Sequence, residues 1–206
     1  MSNHTLTYTT VQLRYMQQVQ ANLTPAVYYL YSTHRFYKDD TAPDIYRSMF
    51  YEICDSYDNF DHIYTDGSKM GDRVASAAIC SNVVRSTRLP NNASIFRAEL
   101  YAITLAMYFV HRSRNSNFVI LSDSMSSPEA LNGVKFELDL VRKIIKDYIH
   151  LTNNGKTIIF CWITSHVNIP GNEIAHAAAK SSLSFPITKM KLPAYDLIPR
   201  VSKPEF

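Results

Sequence analysis

With 206 residues, 46% of them hydrophobic and 19% charged, the chain is long enough for one domain plus extensions and has the composition of a globular protein. Its net charge of +3 permits a polyanionic partner without requiring one. Three scattered cysteines without CxxC spacing (Cys54, Cys80, Cys161) argue against a disulfide scaffold and a zinc site; with no signal-peptide layout at the start and no apolar run of membrane-spanning length, an intracellular protein, cytoplasmic or nuclear, is expected.

Residues 1–59 are rich in tyrosine and contain no glycine. Val11, Tyr15, Val19 and Leu23 recur at helical spacing before Pro25, and Pro43-Asp44 can open another helix through Ile53. Such stripes read as packing surface, and the segment shows no chemistry of its own. From Asp61 the pattern sharpens. The β-branched run at Ile63–Asp66 predicts a strand that hands over to a turn at Asp66-Gly67-Ser68. Val74–Ser81 and Val83–Arg88 predict two more strands, joined tightly at Ser81-Asn82, so the three run antiparallel. Ser94 is placed to cap a helix reaching about Arg112, with a core-facing stripe of Ile95, Ala102, Ile103, Ala106, Met107 and Val110. Glu99 falls in that stripe.

Phe118–Leu121 is apolar on both sides of the alternation, which predicts an interior strand ending at Ser122-Asp123-Ser124. A short helix at Ser126–Asn132 follows, then a longer one carrying Leu140, Val141, Ile144, Ile145 and Tyr148, stopped by Gly155. Thr157–Ile163 predicts another doubly apolar strand, 165–171 a loop, and Asn172 the cap of a last helix through about Ser182. The proline-spaced remainder, 183–206, reads as an extended tail. This β-β-β-α-β-α-α-β-α order implies an α/β fold with a mixed sheet and helices on both faces.

Two strands thus finish in aspartates, Asp66 and Asp123, and one helix turns Glu99 inward. If those strands are neighbours, the acids meet in the crevice at their carboxyl ends. An inward glutamate must be protonated, ion-paired or metal-bound, and hard divalent cations with oxygen ligands are one resolution. The plainer alternative leaves Asp66 and Asp123 as turn-formers and pairs Glu99 with Arg97 or Arg112.

Tyr64-Thr65-Asp66-Gly67-Ser68, Arg97-Ala98-Glu99-Leu100, Ser122-Asp123-Ser124, Trp162 through Val167, and Pro170-Gly171-Asn172-Glu173-Ile174-Ala175 together resemble ribonuclease H type 1. The likeness is strongest to the ribonuclease H domains of non-LTR retrotransposon polyproteins. It covers roughly residues 60–182, with 1–59 as an N-terminal helical or linker segment and 183–206 as the tail. The resemblance implies a ribonuclease H-like fold whose five-stranded sheet has three antiparallel strands followed by two parallel ones. It also implies endonucleolytic cleavage of the RNA strand of an RNA–DNA hybrid with two Mg²⁺ ions, Mn²⁺ being a substitute. Asp66 would bridge both ions, and Glu99 and Asp123 would complete the ligand set. His166 matches the family's loop histidine, a proton shuttle or product-release aid. A reverse transcriptase in the same polyprotein is an implied partner.

One departure stands out. The family's last motif ends in aspartate, and here the position is His176. An imidazole suits Mn²⁺ or Zn²⁺ better than Mg²⁺. Three readings follow: His176 is a weaker ligand of a slower enzyme, Glu173 reaches in instead, or the site is impaired and the fold serves as a nucleic-acid-binding or scaffold module. Gly67, Ser68 and Lys69 beside the first acid are candidates to meet the substrate backbone. Ser94 matches a minor-groove contact as well as a cap. Trp162 reads as core.

Overall fold

Strands apolar on both sides need a layer on each face, and that requirement organises the molecule. The computed structural model describes residues 27–29, 42–132 and 138–193. Within them run β1 (Val27–Tyr29), α1 (Pro43–Ser56), β2 (Asp61–Met70), β3 (Arg73–Cys80), β4 (Val83–Leu89), α2 (Ile95–Arg112), β5 (Asn117–Ser122), α3 (Ser126–Asn132), α4 (Asp139–Asn153), β6 (Thr157–Trp162) and α5 (Pro170–Ser181). The sheet order is β1-β6-β5-β2-β3-β4. β2, β3 and β4 are antiparallel, and β5 and β6 run parallel to β2. The five expected strands are therefore all present in a mixed sheet of ribonuclease H-like topology. A sixth, β1, pairs in parallel with β6 at the edge. The helix expected over Val11–Leu23 lies outside the described residues.

Alternation divides β5 and β6 between two cores. Phe118, Ile120, Ile158 and Phe160 pack under α2 and α4 with Ile103, Met107, Val141 and Ile144. Val119, Leu121, Ile159 and Cys161 pack on the opposite face with Tyr46 and Phe50 of α1. Pro43 at the first turn and Asp44 behind it start α1. The α5 helix covers the same face further along, buried through Ala175 and Ala179. Residues after α5 do not hang free. Thr188 N–H donates to the Arg88 carbonyl at 2.9 Å, and Met190 and Leu192 pack against Val74, Leu89, Ala93 and Ala98.

Three expectations change. β2 does not turn at Asp66-Gly67-Ser68. It continues to Met70, and the hairpin turn is made at Gly71, whose φ is +61°. α5 begins at Pro170 with Ile169 as its N-cap, so Asn172 sits inside the first turn and caps nothing. A proline at the first helical position, with φ already preset, claims the start before asparagine can. Ile95 is 45% exposed and does not join the core stripe of α2. It is the first residue after the cap, where the helix has only just reached the sheet. Ser94 does cap α2, its Oγ accepting from Arg97 N–H at 3.1 Å. Among the described residues, no helix is long and apolar enough to cross a membrane.

Candidate active site

β2 outruns its parallel neighbour. Pairing with β5 ends at Thr65 opposite Ser122, so the next residues, Asp66 and Asp123, flank an open crevice at the carboxyl end of β5. Buried Thr65 fastens this end by donating from Oγ1 to the Leu121 carbonyl at 3.0 Å. Asp66 lies on the α5 side of the sheet, two residues beyond Tyr64, whose ring fits under Gly171. A Cβ at Gly171 would fall 2.2 Å from that ring.

Glu99 comes from the other face. The Ser76 hydroxyl donates to the Ala98 carbonyl at 2.7 Å, drawing the start of α2 onto β3. Gly67 allows the final approach: a Cβ there would sit 2.8 Å from the Glu99 backbone nitrogen and 3.0 Å from the Ala98 carbonyl carbon. This glycine is required by contact between layers rather than by a turn.

The three acids converge. One carboxylate oxygen from each of Asp66, Glu99 and Asp123 lies within 4.8 Å of the others. Asp66 is 3% exposed and Glu99 8%. Burial first, and then the Asp123 carboxylate, push Asp66 up to about 7, against a smaller lowering by His176. Burial, followed by the charges of Asp66 and Asp123, raises Glu99 well above the usual carboxylate range, and a hydrogen bond from the Gly67 backbone offsets part of it.

The plainer pairing of Glu99 does not occur. Arg97 is held bidentately by Asp139 of α4, at 3.0 and 2.6 Å. Arg112 lies thirteen residues along α2, about 20 Å from Glu99 at 1.5 Å per residue. Asp66 Oδ2 and Glu99 Oε2 are buried without a hydrogen-bond partner. Hard anionic oxygens gathered this way, two of them with no donor, fit a divalent cation.

The far wall is α5 and the loop before it. His176 Nδ1 lies 3.4 Å from Asp66 Oδ2, without the alignment of a hydrogen bond, and 41% of its side chain is exposed. His166 is exposed, has a left-handed backbone (φ +60°), and stands edge-to-face on His176 with ring centroids 5.8 Å apart. Glu173 is outside the cluster of three acids, although its charge also raises Asp66. Buried Asn172 donates from Nδ2 to Asp123 Oδ2 at 3.1 Å, and its Oδ1 has no partner. Trp162 donates from Nε1 to the Asp123 carbonyl at 3.1 Å. Neither contact was foreseen from sequence. The only signal was that Asn172 and Trp162 lie in the same motifs as the histidines. Ser68 is half-buried on β2, while Lys69 donates to the Ala93 carbonyl at 3.0 Å just before Ser94.

The RNase H family model matches residues 59–184, more than half of the chain and every element that carries an acid. The chain belongs to the RNase H family. Comparison with curated proteins gives no match. Membership supports a hydrolase of the ribonuclease class that binds nucleic acid, with an RNA–DNA hybrid as the substrate the family implies. It also accords with an acidic cluster able to bind divalent ions. Both β1 and α1 precede the matched RNase H span.

Proposed function

We propose that this RNase H domain is an endonuclease that hydrolyses the RNA strand of RNA–DNA hybrids with two divalent cations, Mg²⁺ with Mn²⁺ as substitute. The observation that carries the reading is the convergence of Asp66, Glu99 and Asp123 with two buried oxygens left unpartnered. These acids and His176 would hold the ions, which when bound supply activation of water and stabilisation of the departing 3′ oxygen.

The chain's own residues divide the remaining work. Asp66 stands between the acid wall and His176, in reach of both. Asn172 and Trp162 fix Asp123 by its carboxylate and its carbonyl. Exposed His166 is free to exchange protons between the crevice and solvent, a task suited to imidazole near neutrality. Gly67, Ser68 and Ser94 would meet the substrate with small groups, which suits recognition of 2′-hydroxyls and shape rather than bases. The catalytic unit is 60–182, with 1–59 and 183–206 as extensions packed on it where they are described. The Ser165-to-Glu173 motif supports a retrotransposon origin and, with it, a reverse transcriptase in the same polyprotein.

A second reading, a catalytically impaired module that binds nucleic acid or scaffolds a partner, is favoured by one observation. An imidazole, His176 Nδ1, and not a fourth carboxylate stands 3.4 Å from Asp66 Oδ2. A labelled RNA–DNA duplex, incubated in Mg²⁺ or Mn²⁺ with wild type and Asp66→Asn, separates the two. RNA-strand cleavage that falls on the order of a thousandfold in the variant is the expected result. Duplex binding without cleavage in either ion would establish the second reading.

A further inference from the structure

We propose that His176, at the Asp66 edge of the crevice, shifts the site's preference from Mg²⁺ towards Mn²⁺, the ion that the proposed function admits as a substitute. The inference rests on the reading of Asp66, Glu99 and Asp123 as the cation-holding acids. His176 Nδ1 and Asp66 Oδ2 are 3.4 Å apart, and that oxygen is buried with no hydrogen-bond partner. A nitrogen and an oxygen this close could serve one cation together. Glu99 and Asp123 do not share this edge. Their oxygens cluster with Asp66 within 4.8 Å, whereas the imidazole meets Asp66 from the α5 side.

Donor type then decides the occupant. Mg²⁺ demands near-octahedral oxygen ligation and gives up its waters reluctantly, so an imidazole nitrogen offers it little. First-row ions accept nitrogen, and Mn²⁺ is the one that is equally at home with carboxylate and water, the other donors here. Replacing an acid by imidazole also removes a negative charge, which weakens both ions. The mark of His176 is thus the ratio of affinities and not either affinity alone. His176 is partly exposed on the second turn of α5, so its replacement leaves both cores untouched.

Calorimetric titration of the full chain with MnCl₂ and with MgCl₂, in wild type, His176→Asp and His176→Ala, tests this without turnover. The Mn²⁺-to-Mg²⁺ affinity ratio is expected to fall about tenfold in both variants. Electron spin echo spectra of the Mn²⁺-loaded wild type should show imidazole nitrogen coupling that vanishes in His176→Ala. An unchanged ratio, absent coupling, or coupling that survives in His176→Ala (which would assign it to His166) overturns the inference and leaves the acids' role intact. Failure of wild type to bind either ion overturns both, so the two failures are told apart.

Discussion

Asp66 and Glu99 stand on a strand and a helix, almost wholly buried, while His176 and His166 face them from a helix turn and a loop in contact with solvent. The acid wall is fixed by the packing of two cores: Gly67 is pressed against the backbone of α2, and Ser76 anchors Ala98. The histidine wall is seated by its neighbours, buried Val167, Ile169, Asn172 and Ala175, while the two imidazoles themselves reach solvent. Both His166 and Asn168 adopt left-handed backbone, which asparagine tolerates and which costs the histidine about 1–2 kcal/mol. The contrast shows where this site can vary. A change at 176 alters the donor offered to a ligand and spares the fold, whereas a change at 67 or 99 is transmitted through packed layers.

The strongest way to test that contrast is Gly67→Ala. The added methyl has 2.8 Å to the Glu99 nitrogen, so α2 must shift. Hybrid cleavage is expected to fall about a hundredfold, since misplacing a catalytic group by an ångström costs that much, with about 1–3 kcal/mol lost in denaturant unfolding. Asn172→Ala addresses the link between the walls. It releases Asp123 Oδ2, and cleavage should drop about tenfold, as for other residues that orient a ligand from behind, with little change in melting temperature.

The smallest effect concerns the acids without their ions. Asp66 is raised to about 7 and Glu99 well above the usual range, both by burial first. The folded chain therefore holds protons that the unfolded chain, with carboxylates near 4, has released. Stability from this source is present at low pH and lost as pH rises through about 7. In chelator, calorimetry should show a melting temperature several degrees lower at pH 8 than at pH 5.5. Saturating divalent ion should raise the pH 8 melting temperature, a hundred times the dissociation constant stabilising the folded chain by about 2.7 kcal/mol. Melting that is insensitive to both pH and ion would erase the distinction between the two walls.

The individual strands and helices were legible because period-2 and period-3.6 patterns are written locally, whereas which strands are neighbours came only with the resemblance. Phe118–Leu121 and Thr157–Ile163 announce two-sided burial, and Ser94 announces a cap. The misreadings share a cause. Asp66-Gly67-Ser68 has turn composition, but the glycine answers to a helix packed across the sheet, and the turn falls at Gly71. Asn172 has cap chemistry but was pre-empted by Pro170, and its amide serves Asp123 instead. Three-residue β1 has no signal of its own, since pairing with β6 defines it. In each case the deciding partner is distant in sequence. The meeting of the acids was legible only through the motif order that resembles ribonuclease H, because spacing alone left Arg97 as an equal partner for Glu99.

The α1 helix has a practical bearing on any attempt to trim the protein. The family match opens at Asn59, just after this helix ends, so cutting there would leave Val119, Leu121 and Ile159 wet where Tyr46 and Phe50 had shielded them. A greasy stripe of that kind glues molecules together. On size-exclusion chromatography the shortened polypeptide should run as clumped material beside a clean full-length peak, which makes Pro43 rather than Asn59 the sensible place to begin a minimal version.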